Sequence, residues 1–391
     1  MIENVFVFVA CGAKEHIDTL HFSLNALKCF SETPVVVVTD SSRNEIPVLH
    51  TNVIDIKTSE NFTHHQASII LKTSLHKILP SGTNYCYLDS DVIAVDINVD
   101  KIFLQFVSPI TFARDHCRLD EFSHFAVNCN CKSIYENDIK RFHEANKRYD
   151  ETLGKEYLAI LDELDELTQK NKRNKIVYFL HWIKYYLHKN YYAVNGNYRL
   201  EKKTGKWLNS SNEYIDEKYD RHNYIYEQTG LTWNAKINSY ITNKGNDIFS
   251  LKCTHLHEQI KNDVGVQVQP DNWQHWNGGV FLFNNNSHDF MDFWHNATLS
   301  VFENKAWKTR DQGTLAATVW KYGLQQHPLL PIEFNFIVDY NSEGLEYISD
   351  LNFKTGAKII KPHFLHVFHH FGDKEWAVWR DVEKLLVATE K

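Results

Sequence analysis

The chain has no stretch of 18 consecutive apolar residues among its 391, which excludes a membrane-spanning helix. Its start, Met1-Ile2-Glu3-Asn4, carries no basic residue, and the apolar segment 5–10 is too short for a leader core, so no secretory leader is expected. None of the seven cysteines, at positions 11, 29, 86, 117, 129, 131 and 253, forms a Cys-x-x-Cys pair. An odd, scattered set lying partly in strand-like runs points to reduced, buried thiols and a cytoplasmic setting. Excess positive charge is lacking too. The formal net charge is −7, which removes any global reason to bind nucleic acid. Internal repeats and low-complexity segments are also missing. What is present is a 43 % apolar composition with 24 Phe, 19 Tyr and 10 Trp, enough for a sizeable core. The length fits two or three domains, or one α/β domain with a large insertion.

Residues 5–10 read as a buried strand ending at Cys11-Gly12-Ala13, followed by a helix over about 16–29 with Leu20, Leu24 and Leu27 near helical spacing. Residues 34–40 are a second buried strand with an acidic end at Asp40, and 53–56 a third. An amphipathic helix over 66–79 closes at Pro80-Ser81-Gly82 and leads into another apolar run. Such alternation predicts an α/β fold with a mostly parallel sheet sandwiched by helices. Ligands then collect outside the carboxyl ends of the strands, where Gly12, Asp40, Asp89 and Asp91 fall. The expected organisation is a first core half over 1–131, an insertion over 132–265, helical and then irregular, and a second core half over 266–391. In the last part, 277–283 and 359–368 read as strands, and 289–302 and 311–322 as helices.

The most informative segment is Tyr87-Leu88-Asp89-Ser90-Asp91-Val92-Ile93. Two carboxylates one residue apart, where a buried strand gives out, can converge on one cation. Hard oxygen donors at that spacing suit Mg²⁺ or Mn²⁺. Alone the motif is weak, because acidic pairs at strand ends also form turns and caps.

Further blocks agree, in order: Leu71-Lys72-Thr73-Ser74-Leu75-His76-Lys77-Ile78-Leu79-Pro80, Trp276-Asn277-Gly278-Gly279-Val280-Phe281-Leu282-Phe283, Asp311-Gln312-Gly313-Thr314-Leu315, and His366 followed by His369-His370-Phe371-Gly372-Asp373-Lys374-Glu375-Trp376. With these blocks the chain resembles the GT-A (Rossmann-like) glycosyltransferases, most closely the retaining family of glycogenin and bacterial lipopolysaccharide galactosyl- and glucosyltransferases. The resemblance covers roughly the first 115 and last 125 residues and leaves out the insertion.

The resemblance implies metal-dependent transfer of a hexose from a nucleotide diphosphate, UDP favoured, with retention of configuration. Asp89, Ser90 and Asp91 would hold the metal and diphosphate, with Lys374 and Lys72 as basic partners; both lysines also read as ordinary surface residues. The third metal ligand should be a histidine. His369 keeps the family's His-x-x-Gly spacing, whereas His366 ends the apolar run Phe364-Leu365 and better fits a side chain leaving a strand; His366 is favoured. The closing block departs from the family, with Gly372 and Lys374 one residue closer and Glu375 in place of Pro.

Asp115 resembles a carboxylate that binds donor-sugar hydroxyls, or is a loop cap. Asn277 would bind the sugar or satisfy backbone at its strand's entry. Asp311 and Gln312 would face the anomeric carbon, although Asp311 also suits an N-cap; Gln312 is too weak a nucleophile for a covalent role. Ala10, Cys11 and Gly12 would pass under the base and ribose, with Asp40 near them or forming a plain turn.

Residues 170–192 set Lys170, Lys172, Arg173 and Lys175 beside Trp182, Tyr185, Tyr186, Tyr191 and Tyr192. That suits the anionic inner face of a membrane and a lipid-linked acceptor, or an insertion helix packed on the core. Two rivals remain. A sugar-nucleotide nucleotidyltransferase wants a Gly-rich basic loop after the first strand, and Cys11-Gly12-Ala13-Lys14-Glu15 is poor in both. A degenerate glycan-binding protein would use the Trp and Tyr without needing Asp89, Asp91 or a histidine cluster.

Overall fold

The computed structural model describes residues 3–187, 190–193, 197–269, 273–339 and 344–389. They form two compact units, one of Met1–Cys129 with Cys253–Lys391 and one of Asn130–Lys252. Residues 253–265 thus belong to the first unit, where His255–Val264 is a helix.

The first unit is built on six strands: β1 (Glu3–Val9), β2 (Val35–Thr39), β3 (Val53–Asp55), β4 (Thr83–Leu88), β6 (Thr111–Arg118) and β7 (Gln274–Phe283). Between β4 and β6 the short β5 (Val92–Ala94) joins a separate sheet. The order is β3-β2-β1-β4-β7-β6; the first four strands run parallel, and β7 is antiparallel to β4 and β6. The continuous apolar runs follow from burial of both sheet faces. Val5, Val7 and Val9 face a core with Leu71, Trp276, Trp294 and Leu315, while Phe6 and Phe8 face Ile17, Leu20, Leu24 and Phe103. Each such side chain contributes about 1.5–3 kcal/mol of burial.

The second sheet places the site. β5 pairs antiparallel with β9 (Phe364–His366), which runs parallel to β8 (Phe336–Ile337). Opposite Val92 stands His366. The corner Asp89-Ser90-Asp91 is therefore the step from one sheet to the other.

Two expected elements divide. The helix over 66–79 is His64–Thr73 followed by the single turn Leu75–Ile78. Ser74 breaks it, its hydroxyl donating to the carbonyls of Ile70 at 2.6 Å and Leu71 at 3.3 Å. The strand over 359–368 is Lys358–Ile360 and then β9, separated at Pro362, which cannot donate to a ladder.

The second unit holds the helices Cys131–Glu151, Leu153–Arg173, Lys175–Leu187 and Glu217–Thr229, a small antiparallel sheet and a hairpin. Its core gathers Ala145, Ile225, Leu231, Tyr240 and Ile248, with Phe142 and Trp233 packed on it. Of the 170–192 run, residues 188 and 189 lie outside the described residues, as do the side chains of Lys170, Lys172, Tyr191 and Tyr192.

Candidate functional site

Asp89 and Asp91 leave the end of β4, and His366 ends β9; their ligand atoms all lie within 4.8 Å of one another. Both strands are pinned at this corner. The Asp89 amide donates to the Gly279 carbonyl at 2.8 Å, and the Val367 amide to the Asp91 carbonyl at 3.1 Å. His366 is buried, and its Nδ1 faces Asn335 Oδ1 at 2.9 Å. With Nδ1 donating there, Nε2 presents its lone pair toward the carboxylates. That Nε2 lies 3.3 Å from Asp91 Oδ1, at ion-pair distance. Burial disfavours the His366 cation, but the Asp91 and Asp89 carboxylates outweigh it and raise the pKa. Burial would raise Asp91 as well; His366 instead holds it low.

A buried imidazole nitrogen aimed at two carboxylates fits a divalent cation. The glycine backbone lets these ligands converge. At Gly279 a Cβ would stand 2.5 Å from His366 Cε1 and 2.9 Å from Asp89 Oδ2, so only glycine fits the present arrangement. The Gly278-Gly279 pair lies where the β7–β6 register shifts between Asn277 and Phe281, a bulge that opens the corner. His369 lies outside this cluster: it is exposed, with its backbone amide on Asp339 Oδ2.

Lys72 comes from the helix His64–Thr73 and is buried with its amine 3.3 Å from Asp89 Oδ1 and 3.5 Å from Asp311 Oδ2. Burial lowers its pKa, but Asp89 and Asp311 raise it further, so it stays protonated. Tyr87 also donates to Asp89 Oδ1. Asp311 is inside the first turn of Arg310–Lys321, whose cap position is Thr309, so its side chain faces Lys72 instead of capping.

A second polar cluster adjoins through β7. Asp115 is on β6, not in a loop, and is buried. Its carboxylate accepts from Asn277 Nδ2 at 3.1 Å and Gln312 Nε2 at 3.3 Å, and lies 2.7 Å from His116 Nδ1. Burial raises Asp115, while the contacts with His116, His275 and Asn277 bring its pKa below the usual carboxylate range. Gln312 is held at both ends, its Oε1 accepting from Gly278 N at 2.9 Å and its amide nitrogen 3.1 Å from His275 Nε2. Burial lowers His275 to about 4, so this ring is neutral at ordinary pH. Asn277 Oδ1 accepts from Gly279 N and from Asn335 Nδ2, which ties the two clusters together.

The remaining expected residues lie apart. Ala10 and Cys11 are buried at the end of β1, and Gly12 has φ +112° with its amide on Asn44 Oδ1. Asp40 is engaged in the protein itself: Thr58 donates to Oδ2 from its amide at 2.8 Å and its hydroxyl at 2.6 Å, and Arg43 Nε lies 3.1 Å away. Burial opposes this anion, yet these bonds and those from Ser42 lower it to about 2. Lys374 is exposed in the loop before the last helix. His275, His116, Tyr87 and Asn335 are the residues that sequence reasoning missed. His275 shares a strand face with Asn277, two residues on, which was the available signal. Asn335 had none.

No protein-family model matches the chain, and no curated protein does. Among solved structures it is similar to the bifunctional glycosyltransferase WbbM, at 9 % identity over 98 % of this chain and 49 % of that one, with a TM-score of 0.43. It thus spans about half the length of WbbM. It is also similar to the galactosyltransferase LgtC, solved with donor and acceptor sugar analogues, at 11 % identity over 98 % and 95 % of the two chains and a TM-score of 0.41. For mouse xyloside xylosyltransferase 1 the figures are 10 %, 86 %, 87 % and 0.34. All three are loose likenesses.

Proposed function

We propose that the chain is a glycosyltransferase of GT-A fold. In this reading it moves a hexose from a nucleotide diphosphate, UDP-linked, to a glycan or lipid-linked saccharide, with retention of configuration. The observation that carries the reading is the corner of Asp89, Asp91 and His366, with its buried imidazole nitrogen aimed at the carboxylates, at the carboxyl end of β4. The donor set of two carboxylates and one imidazole suits Mn²⁺ better than Mg²⁺, which keeps to oxygen ligands. Bound there, the ion would supply Lewis-acid neutralisation of the departing diphosphate.

The chain's own residues do the rest. Lys72 holds Asp89 in place and adds fixed positive charge on the diphosphate side. Asp115, kept ionised by its hydrogen bonds, offers a negative oxygen for donor-sugar hydroxyls and for the cationic character that develops at the sugar carbon. Asn277 and Gln312 fix that carboxylate and line the same cluster. Retention follows from the family resemblance, with Asp311 and Gln312 on the reacting face and no covalent intermediate assigned.

The lipid-linked acceptor has its own support. No described helix is long and apolar enough to cross a membrane. The helix Lys175–Leu187 nevertheless exposes Phe179 at 58 %, Trp182 at 51 % and Tyr186 at 66 %, alongside exposed Arg173, Lys175 and Lys184. Such a face suits peripheral contact with an anionic bilayer.

UDP release from UDP-hexoses separates the readings. Release with Mn²⁺ that stops in EDTA is expected. Pyrophosphate release from a nucleoside triphosphate and a sugar phosphate would favour the nucleotidyltransferase instead, and no turnover of any sugar nucleotide would sink the proposal.

A further inference from the structure

We propose a second metal site, structural and suited to Zn²⁺, built from Cys129, Cys253 and His255 of the first unit. Cys129 is the last residue before the chain leaves this unit, and Cys253 the first after it returns. Cys253 Sγ lies 3.7 Å from Cys129 Sγ and 3.3 Å from His255 Nδ1, and the three donor atoms fall within 4.8 Å of one another. A tetrahedral zinc, about 2.3 Å from sulfur and about 2.0 Å from nitrogen, sets two sulfurs about 3.8 Å apart and sulfur about 3.5 Å from nitrogen. The observed spacings match both. A disulfide needs its sulfurs at about 2.05 Å, so these two stand at ligand distance, not bond distance.

An independent observation points the same way. Ser123, fully buried, accepts from the Leu256 amide at 2.9 Å, which leaves its single proton to point at Cys253 Sγ, 3.2 Å away. A buried hydroxyl aimed at sulfur is the partner a metal-bound thiolate takes up. The Cys253 amide also donates to the Asp120 carbonyl at 3.0 Å, which anchors the ligand on the helix Leu119–Ala126.

Along the chain Cys253 and His255 form a Cys-x-His pair, and Cys129 joins them from the other side of the excursion. Two sulfurs and one imidazole make a soft set, which selects zinc over the Mn²⁺ or Mg²⁺ proposed for the carboxylate corner. Zinc entry displaces the thiol protons to solvent with no change of oxidation state. The ion would staple the exit and return points of the chain on the first unit. None of this depends on the glycosyltransferase reading.

The test is metal analysis of the full chain, purified by a route free of metal-affinity resin. About one zinc per chain is expected, surviving in the D89A/D91A variant and falling at least about tenfold in C129S/C253S. Because that variant can fail to fold, cobalt is also exchanged into the parent protein. A thiolate-to-cobalt charge-transfer band with the visible bands of a tetrahedral ion is expected. A parent protein without zinc and without the cobalt band, a Cys129–Cys253 disulfide by mass spectrometry, or zinc lost with D89A/D91A would each overturn the site.

Discussion

Replacing Gly279 by alanine puts the proposed metal corner under a defined load. Gly279 is buried and its φ lies outside the left-handed region, so alanine brings no backbone strain and the clash is the whole effect. The new Cβ would lie 2.5 Å from His366 Cε1 and 2.9 Å from both Asn277 Oδ1 and Asp89 Oδ2. Carbon atoms rest at about 3.5–4.0 Å, so the imidazole must retreat by about 1 Å or the strand must move. Overpacking of this kind costs about 1–3 kcal/mol in stability. Its effect on chemistry is larger, since a displacement of about 1 Å in a reacting array lowers rate by about 100-fold. The expected result is Mn²⁺ affinity weakened about 10–100-fold and kcat/KM for UDP-hexose lowered about 100-fold, with a folded protein. Electron paramagnetic resonance of unbound Mn²⁺ and a UDP-release assay read the two quantities. If G279A binds Mn²⁺ as tightly as the parent and turns over within about twofold of it, the corner is not the metal site.

Asp40→Ala removes the acceptor for Thr58, Ser42 and Arg43, and should lower unfolding free energy by about 2–3 kcal/mol without raising KM for the donor; a raised KM at unchanged stability would return Asp40 to the nucleotide. The half-buried His76 and the fully buried His275, both lowered to about 4 chiefly by burial, bind fewer protons folded than unfolded. Stability should therefore hold above about pH 6.5 and decline as pH falls toward about 4, by up to about 3 kcal/mol for His275 and by less for His76, whose charge solvent screens. Thermal unfolding across that window should show the loss, smaller in H275Q; a flat profile contradicts the burial of both rings. Sedimentation with phosphatidylglycerol vesicles should capture the parent protein, and F179E/W182E should bind at least about 30-fold more weakly. A parent protein that stays in the supernatant removes the membrane contact.

Much of the site was legible because strand ends write themselves into sequence. Asp89 and Asp91 follow an apolar run, and His366 follows Phe364 and Leu365, so each marks where a buried strand reaches solvent or ligand. The choice of His366 over His369 followed from that position, and the structure places His366, not His369, with the two aspartates. The alternating strands and helices likewise announced a mostly parallel sheet, which β7 completes in the antiparallel sense.

What escaped depends on distant contacts. Asn335 enters from a turn with no periodicity, yet it faces Nδ1 of His366 and so orients that ring. Asp40 looked open at a strand end because nothing local showed that Thr58 and Arg43 would close on it. Lys72 sits on an amphipathic helix, where a lysine ordinarily faces water; only the paired carboxylates of Asp89 and Asp311 explain its burial. The breaks at Ser74 and Pro362 were written locally, but the apolar pattern on either side masked them.

The most direct measurement is a crystal of the protein grown with Mn²⁺ and UDP, with anomalous scattering recorded at the manganese edge. The account predicts a manganese peak about 2.2 Å from Asp89 and Asp91 oxygens and from His366 Nε2, with the diphosphate on its open side. A manganese peak elsewhere, or none at that corner with UDP bound, would contradict it.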